Sequence, residues 1–186
     1  MGLNIQNQNK KMVSKFFVYK SEIFVNKFCL INIMRKKRVT PCQMRLQKDF
    51  EDLKIMPGTE LTIPDPNNLQ YFIVRITPES GIWKNGNFDF EFTIPDDFPF
   101  TRPTVKCLTR IWHPNIEETG AICLNILRDN YTCAIDISML VAGLQYLFSE
   151  PNPHDPLNKE ASEEFINNPS HFKMKAKEYM TLYCPK

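Results

Sequence analysis

The sequence predicts an α+β domain built from an N-terminal helix, a four-stranded antiparallel meander, a long loop, a central helix and two C-terminal helices. Three observations carry this reading. Residues 40–53 pair a helix-start signal with apolar positions at helical spacing, residues 60–94 alternate apolar and polar side chains between turn signals, and residues 136–182 return to helical spacing. Between the sheet and the second set of helices, residues 111–135 show no period at all.

The first helix is announced by Thr40-Pro41-Cys42-Gln43, an N-cap, a proline suited to the first helical position and a capping-box glutamine. Leu46, Phe50 and Leu53 then share one face and Pro57-Gly58 closes the segment, leaving Arg45, Lys48, Glu51 and Asp52 on the wet side. Strands are expected over 60–63, 69–77 and 88–94, separated by Pro64-Asp65-Pro66-Asn67 and by a turn containing Asn85-Gly86. In the third, Phe88, Phe90, Phe92 and Ile94 alternate with Asp89, Glu91 and Thr93, the signature of a sheet with one buried face. A fourth short strand is expected over 104–108, after the proline-rich corner 95–103. Asp136 is placed to cap a central helix that is apolar nearly all round, and Pro151, Pro153 and Pro156 enforce an extended link to helices near 158–167 and 170–182.

At 186 residues the chain fits one domain of residues 40–186 behind a basic arm of residues 1–39. Composition is that of a packed globular protein, with 42% hydrophobic and 24% charged residues. The net charge of +2 hides an uneven distribution: residues 1–48 hold 11 Lys and Arg against the single acid Glu22, so the remainder is acidic. A basic arm of this kind meets an acidic partner or is simply solvated, and the body gives no reason to expect nucleic-acid binding. Phe16, Phe17, Phe24 and Phe28 stand among its lysines as candidate apolar anchors. No apolar run reaches the ~18 residues a membrane span requires. Six cysteines without a CxxC pair and three scattered histidines provide no metal-ligand spacing, and no cofactor is expected. So few cysteines in a chain able to build its own core point to reduced thiols, hence to cytoplasm and nucleus.

Long ordered loops in compact domains are usually functional. This one reads His113-Pro114-Asn115, then Gly120, then Ile122-Cys123-Leu124-Asn125-Ile126-Leu127, with the cysteine eight residues after the asparagine. Together with Phe98-Pro99-Phe100-Thr101-Arg102-Pro103 before it and Pro151-Asn152-Pro153-His154-Asp155-Pro156-Leu157 after it, the loop resembles the active-site signature of the ubiquitin-conjugating enzyme family. The similarity runs from about Arg45 to Tyr183. Arg45-Leu46-Gln47-Lys48-Asp49, Val105-Lys106-Cys107, Cys123 through Arg128 and the run from Gly143 to Lys159 are most similar to the branch that conjugates the neddylation modifier.

The resemblance implies an enzyme that accepts a ubiquitin-like modifier from an activating enzyme, which consumes the ATP, holds it as a thioester on Cys123 and transfers it to a lysine of a cullin or other protein substrate. The physical reading agrees: an acyl carrier needs a soft, accessible nucleophile whose acyl bond survives transport but yields to an amine. Asn115 resembles the family's oxyanion donor, with a turn-shaping role in the loop as the competing reading. Asp155 matches the acidic residue that orients or deprotonates the incoming lysine, with a turn before Pro156 as its alternative. His113 is structural by the same likeness. Leu124 and Asn125 would line the groove that receives the modifier's tail or the target lysine. The helix face with Arg45 and Lys48 is similar to the activating-enzyme contact, and Phe100, Cys133 and Ala134 occupy positions where the family meets ring-type ligases.

One departure stands out: Tyr131-Thr132-Cys133 replaces the Trp-x-Pro of many relatives and removes a rigid proline. Three other functions compete: a ubiquitin-conjugating enzyme of the same fold, a catalytically silent adaptor, and a thiol hydrolase. Retention of Cys123, Asn115 and Asp155 together argues against the adaptor, and no protease context surrounds His113 or His154.

Overall fold

The computed structural model describes residues 39–54 and 56–185, and the backbone of residues 17–19. In chain order the elements are β1 (Phe17–Tyr19), α1 (Pro41–Glu51), β2 (Thr59–Ile63), β3 (Tyr71–Ile76), β4 (Phe88–Thr93) and β5 (Thr104–Cys107). A 3-10 turn (Asn125–Leu127) follows, then α2 (Ile137–Ser149), α3 (Lys159–Asn167) and α4 (Pro169–Tyr183).

Helix α1 starts where its sequence says it must. The Thr40 hydroxyl accepts from the Gln43 backbone N–H at 3.2 Å, the Gln43 side chain accepts from the Thr40 N–H at 3.0 Å, and Pro41 opens the first turn. This reciprocal cap satisfies two donors that have no partner inside the helix. The helix ends at Glu51, ahead of the Pro57-Gly58 signal. Its buried positions are Cys42, Leu46 and Asp49, while Phe50 and Leu53 are only partly covered.

The four-stranded meander is present, with β2, β3, β4 and β5 pairing antiparallel in that order. Its register matches Phe72 with Phe92, Val74 with Phe90 and Ile76 with Phe88, so apolar side chains meet across β3 and β4 on one face. Those six residues, with Leu61 and Ile63 of β2, are at most 2% exposed. Burying each such side chain stabilises the fold by roughly 1.5–3 kcal/mol. Phe72 and Phe92 stack at 4.8 Å, and Phe148 of α2 meets Phe88 at 4.9 Å and Phe90 edge-on at 6.2 Å.

The sheet has one strand more than the sequence predicted. Phe17–Tyr19 pairs antiparallel with β2, Phe17 opposite Ile63 and Tyr19 opposite Leu61. A run of two aromatics around a valine suits an extended strand, and the outer edge of β2 offers unpaired N–H and C=O groups to it. The candidate anchors Phe16, Phe24 and Phe28 lie outside the described residues.

Helix α2 is capped by Asp136, whose carboxylate accepts from the Met139 N–H at 2.8 Å. It buries Ile137, Leu140, Val141, Leu144, Leu147 and Phe148, but Met139 and Tyr146 are exposed. The helix is therefore not apolar on all sides: the sheet covers one side, and a stripe faces solvent. Helices α3 and α4 begin at Asn158 and Asn168, each side chain accepting from the N–H three residues on. Phe172 of α4 is fully buried edge-on against Trp83 and Phe165. No described helix is long and apolar enough to cross a membrane.

Candidate active site

The loop that follows β5 is irregular in period but cross-tied by backbone hydrogen bonds. The Cys123 N–H donates to Asn115 O at 2.8 Å, Glu117 N–H to Ala121 O at 2.9 Å and Gly120 N–H to Glu117 O at 2.9 Å, folding residues 115–123 back on themselves. Gly120 sits at φ +87°, and its carbonyl accepts from Cys107 N–H at 2.9 Å, tying the loop to the end of β5. A Cβ there would lie 2.2 Å from Cys107 O, so only glycine fits this turn.

His113 anchors the base of the loop. It is fully buried against Trp83, with ring centroids 4.5 Å apart, its Nε2 lies 3.0 Å from Leu147 O and its Nδ1 accepts the Asn115 N–H at 2.9 Å. One ring nitrogen must donate and the other accept, so only the neutral imidazole satisfies both contacts. Burial accordingly pushes its pKa down to about 4 from an ordinary 6.5. Unfolding restores proton affinity, so the unfolded chain binds the additional proton between pH 6.5 and 4. The stability carried by His113 is thus full above pH 6.5 and is lost as pH falls toward 4, by about 3 kcal/mol in total. Urea unfolding measured across this range should show the loss in the wild type and a much flatter profile in His113→Asn. Equal acid sensitivity in both would remove the assignment.

Asn115 is 1% exposed and its amide is fully engaged. Nδ2 donates to Asn152 O at 2.8 Å and Asp155 O at 3.2 Å, and Oδ1 accepts Asn152 N–H at 2.8 Å. The side chain thus clasps the 152–155 segment against the loop. Asn152, which the sequence did not single out, is the other half of this clasp; its own Oδ1 accepts His154 N–H at 3.1 Å. His154 itself is exposed.

The clasp sets Asp155 beside Cys123. Oδ2 lies 3.4 Å from Cys123 Sγ, and the carboxylate side chain is 61% exposed. A second group reaches the sulfur from the far end of the 3-10 turn: Arg128 Nη1 is 2.8 Å from Sγ and 3.8 Å from Asp155 Oδ2. Sequence reasoning missed Arg128, although a cation five residues beyond the cysteine, across a tight turn, was visible. Cys123 as a residue is only 6% exposed, less than an open nucleophile would be. What covers its sulfur includes two surface side chains, however, and not packed core alone. Burial, then the hydrogen bond to Asp155, hold the thiol above its ordinary pKa, while Arg128 pulls it down. At rest, therefore, the sulfur is kept as a thiol between a base and a cation.

The other described cysteines differ. Burial pushes Cys107 up to about 12, and its Sγ donates to Thr109 O; Cys42 is buried and Cys133 exposed. Among the described residues no three His, Cys, Asp or Glu side chains are placed to hold a metal ion.

The remaining sequence candidates lie around this centre. Asn125 is exposed at the start of the 3-10 turn, whereas Leu124 is half-buried against the core near Gly143 and Ile126. Phe100 is 82% exposed, and Cys133 and Ala134 are exposed. Tyr131 OH donates to Pro99 O at 2.8 Å, which joins the segment carrying Phe100 to the one carrying Cys133. Lys48 points to solvent, but Arg45 does not stay on the wet face as its spacing suggested. Its guanidinium donates to Cys133 O at 2.7 Å and Ile135 O at 3.0 Å, pairs with Asp49 at 2.7 Å and lies over the Phe98 ring. Two carbonyls and a buried carboxylate outcompete water for a planar fork of donors. Arg45 thereby pins the segment from which the rigid proline is missing.

Known proteins agree with this architecture. The family model described as ubiquitin-conjugating enzyme matches residues 45–180. The Nedd8-conjugating enzyme UbcE2M of Drosophila melanogaster is 40% identical over 81% of this chain and 83% of its own length. Ubiquitin-conjugating enzyme E2 13 of Saccharomyces cerevisiae is 40% identical over 76% of this chain and 94% of its own. The solved structure of S. cerevisiae Ubc12 superposes with a TM-score of 0.71 at 30% identity, covering 81% of this chain and 85% of that one. With this match over most of its length, the chain belongs to the ubiquitin-conjugating enzyme family.

Proposed function

We propose that the chain accepts the neddylation modifier from an activating enzyme as a thioester on Cys123 and passes it to a lysine amine on another protein, cullins being the favoured targets. The observation that carries this reading is the single sulfur held at 3.4 Å from the Asp155 carboxylate and 2.8 Å from the Arg128 guanidinium, on a loop whose Cys123 N–H donates to Asn115 O at 2.8 Å. In loading, Cys123 Sγ attacks the carbonyl of the modifier's thioester on the activating enzyme. The Sγ proton is given up, and the departing thiolate of that enzyme takes one in return. In discharge, a lysine amine attacks the new thioester, its proton passing to Asp155 or solvent, and the Cys123 sulfur leaves. A developing oxyanion needs a fixed donor, and the Asn115 amide supplies one if it releases a carbonyl it now holds.

The exposed face of α1 around Lys48 is proposed to meet the activating enzyme, with Arg45 acting from behind it. Phe100, Cys133 and Ala134 are proposed to meet a ring-type ligase. The neddylation branch is favoured by the name of the Drosophila relative and by the fold match to yeast Ubc12. Ubiquitin is the second reading, because the yeast ubiquitin-conjugating relative is equally identical.

Incubation with ATP and either modifier, each with its matched activating enzyme, decides between them on non-reducing gels. The expected result is an adduct that thiol reductant removes, formed faster with the neddylation modifier. Faster loading with ubiquitin would transfer the chain to the other branch, and no thiol-sensitive adduct with either would overturn the carrier reading.

A further inference from the structure

The Arg128 guanidinium is the one feature of the site that the transfer chemistry above leaves without work. Its side chain is 43% exposed, so it reaches the sulfur from solvent on a flexible stem, while its backbone N–H closes the 3-10 turn onto Asn125 O at 2.9 Å. The groups facing Cys123 Sγ are Arg128 from this turn and Asp155 from the 152–155 segment; Asp129 adds a negative charge beside Arg128. Nη1 stands 2.8 Å from Sγ but 3.8 Å from Asp155 Oδ2, so the sulfur is its present partner and the carboxylate its next one.

We propose, building on the thioester role of Cys123, that Arg128 works in the loading step by stabilising the thiolate that forms as the resting thiol gives up its proton, and that it shifts to Asp155 once the sulfur is acylated. A thiolate accepts a charge-assisted hydrogen bond, whereas a thioester sulfur carries no charge and is a poor acceptor. Acylation therefore removes the partner at 2.8 Å and leaves the carboxylate, within a rotamer change, as the one anion near both Sγ and Arg128 among the described residues. The two steps then make opposite demands. Loading gains from the cation, but in discharge the incoming lysine ammonium must compete with Arg128 for Asp155. The direction in which Arg128 pulls the thiol, downward against burial and Asp155, agrees with the first half.

The two halves separate experimentally. Alkylation of the free enzyme by iodoacetamide, followed at the Cys123 peptide by mass spectrometry across pH, reads the thiolate with no modifier present. Arg128→Gln should move the midpoint upward by about one pH unit and slow loading at neutral pH about tenfold, with loading recovering as pH is raised. Arg128→Lys, which keeps the charge, should restore most of both. Discharge of a preloaded thioester to free lysine should be faster in Arg128→Gln. Arg128 is exposed, and a thermal unfolding scan matching wild type confirms that each variant is folded. An unmoved alkylation midpoint, or discharge no faster than in the wild type, overturns the proposal. Failure of the wild type to load any modifier would instead strike the carrier reading, leaving the alkylation shift intact.

Discussion

Cys123→Ala is expected to leave no modifier adduct above background on non-reducing gels, with thermal stability within about 1 kcal/mol of wild type. In the proposed transfer the sulfur is the atom that forms and breaks the acyl bond, so nothing else at the site substitutes for it. Its removal does little to the fold, because two of its contacts are side chains that are 43% and 61% exposed. Cys123→Ser makes the sharper test. An oxygen nucleophile in the same place forms an ester that reductant does not cleave and that amines attack slowly, so the adduct should persist in reducing gels. An adduct in Cys123→Ala at wild-type level would move the chemistry to another residue, with the exposed Cys133 first in line.

Asn115→Ala is expected to load normally and to discharge to free lysine about 100- to 1000-fold more slowly, the loss typical of a deleted oxyanion donor. The same truncation strips the partner from Asn152 N–H, Asn152 O and Asp155 O, which costs about 1–3 kcal/mol of stability if those groups stay buried. Because Asn115 holds the main chain that carries Asp155, its two roles are coupled. Combining Asn115→Ala with Asp155→Ala should therefore be far from additive, the double variant discharging about as slowly as the worse single one. Additive losses would show that the amide acts on the oxyanion independently of the carboxylate. Discharge at the wild-type rate in Asn115→Ala would remove it from the reaction and leave only the clasp.

Much of this site was legible in one dimension because its parts are local. The Thr40 and Asp136 caps and the apolar alternation of β4 each depend on neighbours within a few residues, and sequence spacing reads such neighbours directly. The cysteine, asparagine and aspartate were identified as a set by the motifs around them. What spacing does not read is which distant group a long side chain will choose. Arg45 was assigned to solvent by its place on the helix, yet its partners are the carbonyls of residues 88 and 90 positions away. Asp49 is buried for the same reason, drawn in with the arginine it pairs. The short strand Phe17–Tyr19 likewise needs the exposed edge of β2, which exists only after the meander has formed.

The order of residues alone therefore established the helices, the four-stranded meander and their caps, since helical and strand periodicity and turn chemistry act over a few residues, while the likeness of its motifs to a known family singled out Cys123, Asn115 and Asp155 as candidate nucleophile and polar companions. Packing in three dimensions supplied the rest: Asn115 engaged by the 152–155 segment, Arg128 lying over the sulfur, and a cysteine more covered than a loop position suggests. Those outcomes depend on competition among remote donors and acceptors for partners out of water, and that competition begins only when the chain has closed on itself.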